Sequence, residues 1–276
     1  MKDLYSYIKP KKQIIDAHSH LFDHTGLLSD LYKFPEYVEK VVGFADIRLD
    51  EPDKYNNGKI IDLYDKFIKN NYIPGKHILF ATSYDIEDAI KIHQKYPEII
   101  KGFGEFKCFK NYFGKNLNMS LDYLTKLLEY NRKYKLPVYI HWNILNETDQ
   151  KDFENILKEY REFPIVLCHF GMGYDRNNIP DENGYNKTYD LIKELYDNYD
   201  NLYLDLSYRS LHYFNRHPEK LNNFDKTRIC CGSDINPKSS ETLKDVQKYI
   251  KMIYNEIQNV YVPEFSECVL KITNMI

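Results

Sequence analysis

The stretch Ile14-Ile15-Asp16-Ala17-His18-Ser19-His20-Leu21 decides the fold. Its apolar start is typical of a short buried strand, and two histidines stand one residue apart at the carboxyl end of that strand. Because side chains alternate across a strand, we expect His18 and His20 to face one side together, with Asp16 one step below them. Two adjacent imidazoles are typical of half a metal site, although a lone His-x-His pair is more often hydrogen-bonded near a surface.

The composition of the 276-residue chain indicates a globular protein with a sizeable core. Hydrophobic residues make up 43% of the chain and aromatic residues 15%, which excludes global disorder. The formal net charge is −3 and neither half is strongly basic, so a nucleic acid is not favoured as a partner. We expect one domain over residues 1–276, because no linker or low-complexity segment interrupts the chain.

Cysteine usage and the lack of long apolar runs favour the cytoplasm. The five cysteines form no C-x-x-C pair, and most lie in apolar runs where a reduced cysteine behaves as a small hydrophobic residue. The N-terminal residues 1–10 lack the apolar segment of a secretory signal. No run approaches the ~20 apolar residues that span a bilayer, so no membrane partner is expected.

Short apolar, β-branched runs alternate with helix-period stretches along the chain. The predicted strands cover residues 13–19, 41–47, 77–82, 99–105, 137–142, 164–170, 201–206 and 228–233. The predicted helices cover residues 59–70, 85–96, 120–134, 149–161, 188–199 and 240–257. Ser120 and Thr148 are candidate N-terminal caps, whereas residues 211–225 have no clear pattern.

This alternation predicts an α/β fold, a (β/α)8 TIM barrel. Parallel strands need crossover connections, and eight strand–helix units in a chain of this length are typical of a closed barrel. The alternative, an open doubly wound sheet, predicts a Gly-rich turn after the first strand, and residues 19–24 contain no glycine. The long loops 21–40 and 171–187 are expected to lie over the C-terminal mouth of the barrel, where active sites are built.

Metal-binding residue types lie near the carboxyl ends of five predicted strands. They are His18 and His20 on the first strand, Glu105 on the fourth, His141 on the fifth, His169 on the sixth and Asp234 on the eighth. Each one alone is more often a solvated carboxylate, a turn residue or a hydrogen-bonded histidine. Because a barrel brings all these strand ends to one mouth, their shared position argues against coincidence.

These six residues predict a divalent metal site at the C-terminal mouth. Four histidines and two carboxylates favour zinc, with manganese, iron or nickel as alternatives. The set exceeds the needs of one tetrahedral metal, so one ion or two are both compatible with it, Glu105 being the bridge between two. Metal-bound water has a pKa lowered from 15.7 to about 7, and Asp234 is the candidate that takes its proton and passes it to a leaving group. Asp16 is a candidate acceptor for an imidazole N–H.

Alternation also makes predictions for later strands. His169 should share a face with Ile165 and Leu167, and Cys230 should lie beneath the site. The remaining histidines do not follow the strand-end placement and are expected to be structural or exposed: His24, His77, His93, His212 and His217.

Taken together, the motifs resemble the amidohydrolase superfamily, and most of all its amidohydrolase-related branch. The resemblance covers roughly the whole chain and is carried by Asp-Ala-His-Ser-His at 16–20, His141 after Pro-Val-Tyr-Ile, Leu-Cys-His-Phe-Gly around His169, Leu-Asp-Leu-Ser at 204–207 and Gly-Ser-Asp before Pro237. It implies a metal-dependent barrel hydrolase. By the resemblance, the metal ligands are His18, His20, His141 and Asp234, and His169 binds a second metal or polarises the substrate.

The fourth strand departs from the urease-like pattern of this superfamily. No lysine stands there to be carboxylated, and Glu105 in Gly-Phe-Gly-Glu takes its place. In this respect the chain looks like TatD-type deoxyribonucleases and some phosphotriesterase relatives.

The leading functional prediction is hydrolysis of a small-molecule amide, lactone or ester by metal-activated water. The first alternative is a non-oxidative decarboxylase, since the same branch resembles such lyases, with Arg209 or Arg176 as the partner of a substrate carboxylate. Arg176 is more simply explained as a surface residue. The second alternative is a TatD-like phosphoesterase or deoxyribonuclease, which Glu105 suggests and the lack of a basic stripe opposes. A catalytically inert barrel that acts as a binding module is the alternative outside enzymology.

Overall fold

Strands and helices alternate through most of the chain. The computed structural model describes residues 12–23, 26–27, 34–47, 54–55, 57–83, 85–108, 121–172, 181–235 and 243–275. The strands are β1 (Ile14–Asp23), β2 (Gly26–Leu27), β3 (Val38–Ala45), β4 (His77–Ala81), β5 (Ile100–Lys107), β6 (Val138–His141), β7 (Ile165–Leu167), β8 (Leu202–Leu206) and β9 (Ile229–Cys231). The helices are α1 (Lys59–Asn70), α2 (Ile86–Lys95), α3 (Leu121–Asn131), α4 (Glu147–Glu159), α5 (Glu182–Asn198), α6 (Tyr208–Arg216), α7 (Leu243–Val260) and α8 (Pro263–Ile272).

Eight parallel strands form the barrel, which confirms the predicted fold class. They pair in the order β1-β3-β4-β5-β6-β7-β8-β9, and the short β2 pairs antiparallel with the end of β1. The two outer strands of this series meet at a seam, where Ser19 bridges to Ile235. There the Asp234 N–H donates to the His18 carbonyl at 2.7 Å, and the His20 N–H donates to the Ile235 carbonyl at 3.0 Å. The contacts across this seam join β9 to β1 and nearly close the barrel.

Apolar side chains pack both inside the barrel and between the barrel and its helices. The inner cluster includes Ala17, Phe44, Tyr139 and Val166, and the outer cluster joins the opposite faces of the strands to the helices. Helix α8, which the sequence analysis did not predict, places Cys268, Val269 and Ile272 in the inner cluster. These residues pack beside side chains from the amino ends of the strands, so α8 covers the end opposite the mouth.

All five cysteines are free. Cys230 lies in the inner cluster, where its Sγ is 3.2 Å from the Sγ of Cys268 in α8. This placement agrees with the prediction that Cys230 lies beneath the site. None of the helices that the structure describes is long and apolar enough to cross a membrane.

Helix starts differ from the predictions where a better cap lies upstream. Asn146, and not Thr148, caps α4, because its Oδ1 accepts the N–H groups of Thr148 at 2.9 Å and Asp149 at 3.0 Å. Likewise Asp181 caps α5 through the N–H of Gly184, so this helix begins before the apolar stripe. Ser120 lies outside the described residues, and the unclear stretch 211–225 contains the end of α6 and a short 3-10 turn, Pro218–Asn223.

Gly232 is required by the close approach of β9 to β1 at the seam. A Cβ at Gly232 would lie 2.4 Å from the backbone nitrogen of His18 and 2.6 Å from its Cβ. Neither atom belongs to the flexible end of a side chain, so a larger residue would have to push the two strands apart.

We predict that Gly232→Ala lowers the free energy of unfolding by about 3 kcal/mol, because it overpacks the barrel seam. Gly75→Ala is the matched control: its Cβ would meet nothing within 4 Å, and only its φ of 82° is strained, at about 1 kcal/mol. Urea unfolding of both variants measures the difference. Equal losses in the two variants would contradict a steric requirement at the seam.

Candidate metal centre

A register shift in β1 turns His18 into the barrel. Between Asp16 and Ser19, β1 advances three residues while its partner β3 advances two. Such an irregularity reverses the face on which later side chains lie. Ala17 and His18 therefore both face the interior, where the His18 ring lies 6.1 Å from that of Tyr139.

Asp16 holds the barrel seam, and it contacts no imidazole N–H of the described histidines. Its Oδ1 accepts the backbone N–H groups of His18 at 3.1 Å and Ser233 at 2.9 Å, and its Oδ2 accepts the hydroxyls of Ser233 at 2.6 Å and Tyr254 at 2.5 Å. Complete burial raises the pKa of the Asp16 carboxyl, although these hydrogen bonds oppose the rise. The prediction that Asp16 accepts an imidazole proton is wrong, because the register shift places it on the opposite face.

Glu105 enters the mouth through a second register shift. Between Phe103 and Phe106, β5 advances three residues while β6 advances two. Gly104 has a φ of 114°, and a Cβ there would lie 2.3 Å from the carbonyl oxygen of Tyr139. Only glycine fits this position, which explains the Gly-Phe-Gly-Glu sequence before the carboxylate.

His169 and Asp234 lie beyond the ends of their strands, in left-handed backbone. β7 ends at Leu167 and β9 at Cys231, whereas φ is 55° at His169 and 49° at Asp234. The prediction that His169 shares a face with Ile165 and Leu167 is wrong, because those two residues lie in the outer cluster and the left-handed turn directs His169 inward. Such backbone is uncommon outside glycine and concentrates at functional sites.

The first group of predicted ligands lies between β1 and β9. The Nε2 atoms of His18 and His20 lie 3.5 Å and 3.3 Å from Asp234 Oδ1, and each lies 3.9 Å from Glu105 Oε2. Within the described part of the chain, His18 Nε2 is buried and has no hydrogen-bond partner. Ligand atoms around a tetrahedral ion with bonds of about 2.1 Å lie roughly 3.4 Å apart, so the atoms of His18, His20 and Asp234 could hold one divalent ion, with Glu105 Oε2 beside them.

The second group is built on the other oxygen of Glu105. Glu105 Oε1 lies 2.7 Å from His141 Nδ1 and 3.1 Å from His169 Nε2. The ligand atoms of these three residues all lie within 4.8 Å of one another. The structure thus brings together all six residues that the sequence predicted, in two groups that share one carboxylate.

The electrostatics of the cluster favour a cation. Burial opposes ionisation of Glu105, yet His141 and its neighbours hold the pKa of this carboxyl well below its usual range. Burial also opposes ionisation of Asp234, but the adjacent histidines, His169 foremost, lower its pKa to about 2. Burial lowers the pKa of His18, and the surrounding carboxylates raise it to about 10. The cluster therefore keeps its acids ionised and attracts positive charge.

Asp205 is the buried contact of His18 that the sequence analysis missed. It lies near the end of β8, and its Oδ2 is 2.8 Å from Nδ1 of His18. The available signal was the motif Leu-Asp-Leu-Ser at 204–207, because an acid between leucines of a buried strand needs a polar partner.

Arg209 lies in the first turn of α6, directly after β8. Its guanidinium lies 5.3 Å from the ring centroid of Tyr208, and that ring lies 5.7 Å from the ring of His169. Arg209 Nη1 is buried and has no hydrogen-bond partner among the residues that the structure describes. Arg176, the other predicted substrate-binding residue, lies outside the described residues.

The other described histidines have partners of their own. His77 accepts the N–H of Ile73 at 3.1 Å, and His93 lies 2.8 Å from the Tyr130 hydroxyl. His212 and His217 form ion-pair contacts with Glu256 and Glu182. His24 lies outside the described residues.

Comparison with solved structures finds this fold among amidohydrolases. An amidohydrolase from Burkholderia multivorans with bound zinc covers 94% of this chain and 98% of its own, at 11% identity and a TM-score of 0.53. Dihydroorotase from Campylobacter jejuni covers 96% of this chain and 83% of its own, at 15% identity and a TM-score of 0.54. A dihydroxybenzoic acid decarboxylase from Polaromonas sp. JS666 has bound manganese and 2-nitroresorcinol. It covers 96% of this chain and 97% of its own, at 11% identity and a TM-score of 0.54.

These structures share the barrel fold of this chain, which is the fold that the resemblance to the amidohydrolase superfamily implies. No family model and no curated protein matches the sequence. The similarity of Glu105 to the TatD type stays a prediction.

Proposed function

We propose that this chain is a metal-dependent enzyme that hydrolyses a small-molecule amide, lactone or ester. The observation that carries the proposal is the position of Glu105, whose Oε2 faces the first group of ligands and whose Oε1 faces the second. A carboxylate shared between two groups suits a pair of divalent ions acting on one substrate. The shared fold of the zinc-containing amidohydrolase and of dihydroorotase supports the same class of reaction.

The two groups would hold one or two divalent ions. Zinc suits their imidazole and carboxylate donors best, and manganese, iron or nickel are the alternatives. His18, His20 and Asp234 would hold one ion, and Glu105, His141 and His169 would hold the other. A bound divalent ion lowers the pKa of water from 15.7 to about 7 and so supplies hydroxide near neutral pH.

Asp234 is the carboxylate best placed to move a proton. Its side chain is 16% exposed, whereas the side chains of Glu105 and Asp205 are 2% and 0% exposed. The adjacent histidines keep it ionised at neutral pH, and its partial exposure would let it take a proton from water and pass it to a leaving group. His169 is the second proposed catalytic residue, since its Nδ1 lies 4.0 Å from Asp234 Oδ2 and its Nε2, beside Glu105 in the mouth, would polarise the substrate where only one ion binds.

We predict that protein purified without chelator retains one or two equivalents of a divalent metal and hydrolyses members of an amide, lactone and ester panel. His18→Ala should lose metal and at least about a hundredfold in activity, since weaker perturbations around metal ligands already cost about 10- to 100-fold. Elemental analysis and turnover assays measure both quantities. The panel includes a phosphodiester with manganese, which tests the TatD-like alternative.

His212→Ala is the matched control for this experiment. His212 is an exposed histidine on α6 that contacts Glu256, outside both groups of ligands. This variant should keep the metal content and activity of the parent protein. A parent protein that holds no stoichiometric metal when kept free of chelator would contradict the proposal.

A non-oxidative decarboxylase is the second candidate, and Arg209 is the observation that favours it. Its buried, unpartnered Nη1 suits a substrate carboxylate, since a guanidinium recognises carboxylates with paired hydrogen bonds. The dihydroxybenzoic acid decarboxylase with bound 2-nitroresorcinol shares the fold.

If this candidate is correct, aromatic carboxylates will release carbon dioxide, and Arg209→Gln will reduce the rate by about 100-fold or more, as expected for the loss of a charge-assisted contact of about 3 kcal/mol. Arg216→Gln is the matched control, because Arg216 is an exposed residue of the same helix that pairs with Glu182. Carbon dioxide release from a panel of hydroxybenzoates measures the rate. A panel without turnover would eliminate the decarboxylase.

A further inference from the structure

We propose that Asp205 and Ser207 form one positioning relay that sets which ring nitrogen carries the proton in both His18 and His169. The inference rests on the proposed metal site and deepens it, because it assigns a role to two residues outside both groups of ligands. Asp205 lies near the end of β8, and Ser207 follows as the N-cap residue of α6. Both residues are fully buried.

Asp205 Oδ2 is the acceptor at the centre of this relay. It accepts the backbone N–H of His169 at 3.3 Å and the hydroxyl of Ser207 at 2.6 Å. A backbone N–H is always a donor, so Oδ2 acts as an acceptor here. Its third contact, His18 Nδ1 at 2.8 Å, must therefore carry a proton. Nε2, the atom that faces Asp234 and Glu105, is therefore the nitrogen that would give up its proton when a metal ion binds.

Ser207 also fixes the proton of His169 on Nδ1. The single hydroxyl proton of Ser207 is directed to Asp205, so its oxygen can only accept from the next partner. That partner is His169 Nδ1 at 2.9 Å, which must donate. With Nδ1 engaged by Ser207, Nε2, which lies 3.1 Å from Glu105 Oε1, is the nitrogen that would give up its proton to a metal ion in the second group.

One carboxylate therefore orients two imidazoles that belong to different groups of ligands. A ring with the proton on the wrong nitrogen cannot ligate, so a preset tautomer favours metal binding. His20 offers an internal reference, because its Nδ1 lies 3.4 Å from the Ala45 carbonyl and its contact is independent of the relay.

The test compares Ser207→Ala, Ser207→Thr and Asp205→Asn by zinc affinity and by NMR of protein labelled with ¹⁵N-histidine. In the unsubstituted protein, His18 and His169 should show slowly exchanging Nδ1–H signals. Ser207→Ala should remove the protected signal of His169 alone and weaken one zinc equivalent by about 10- to 100-fold. Ser207→Thr keeps the hydroxyl and should retain both the protected His169 signal and the zinc affinity. Asp205→Asn should weaken the protected Nδ1–H signals of both His18 and His169. The signal of His20 should not change in any variant.

A Ser207→Ala protein that keeps the protected His169 signal and full zinc affinity would overturn the relay, as would failure of Ser207→Thr to restore them. If Asp205→Asn does not fold, the two Ser207 variants carry the test by themselves. The NMR measurement also separates this inference from the proposed function. The Nδ1–H contacts exist without a bound ion, so they remain measurable in a protein that binds no zinc.

Discussion

The arrangement of the site depends on one buried carboxylate placed between four imidazoles. Glu105 directs one oxygen toward His18 and His20 and the other toward His141 and His169. An ionised carboxylate is strongly disfavoured in a barrel interior unless positive charge compensates it. The surrounding histidines supply part of that compensation, and a divalent ion on either side of Glu105 would supply the rest. A fold that places a carboxylate in this position therefore offers a group of ligands that could hold a metal cation.

Regular strands alone would not build this cluster. His18 and Glu105 are each directed inward by a register shift, and His169 and Asp234 by left-handed backbone beyond the ends of their strands. Local irregularities of this kind re-aim side chains, and they are retained where the surrounding structure holds them in place. Here the seam hydrogen bonds of Asp16 and the close approach of Gly232 to β1 provide that support.

Much of this architecture could be predicted from the sequence because hydrophobic periodicity is strong in buried strands. All eight predicted barrel strands are present, and the six candidate ligands meet because parallel strands all end at one mouth. The faces that strict alternation predicts for Asp16 and His169 are wrong, because no simple sequence pattern marks a register shift or a left-handed turn. The role expected of Asp16 belongs to Asp205, whose position beside His18 and two strands away from β1 is a tertiary property. Helix α8 was missed because it follows α7 after a short connection and its apolar residues fill the barrel instead of an outer stripe.

The most direct test of the central claim is a crystal structure of protein prepared with zinc, with anomalous diffraction measured on both sides of the zinc absorption edge. We predict anomalous density in the mouth of the barrel, within bonding distance of a Glu105 carboxylate oxygen and of the imidazoles that face it. A second peak at the other oxygen would show that Glu105 bridges two ions. Zinc density elsewhere on the protein, with none beside Glu105, would contradict this account of the site.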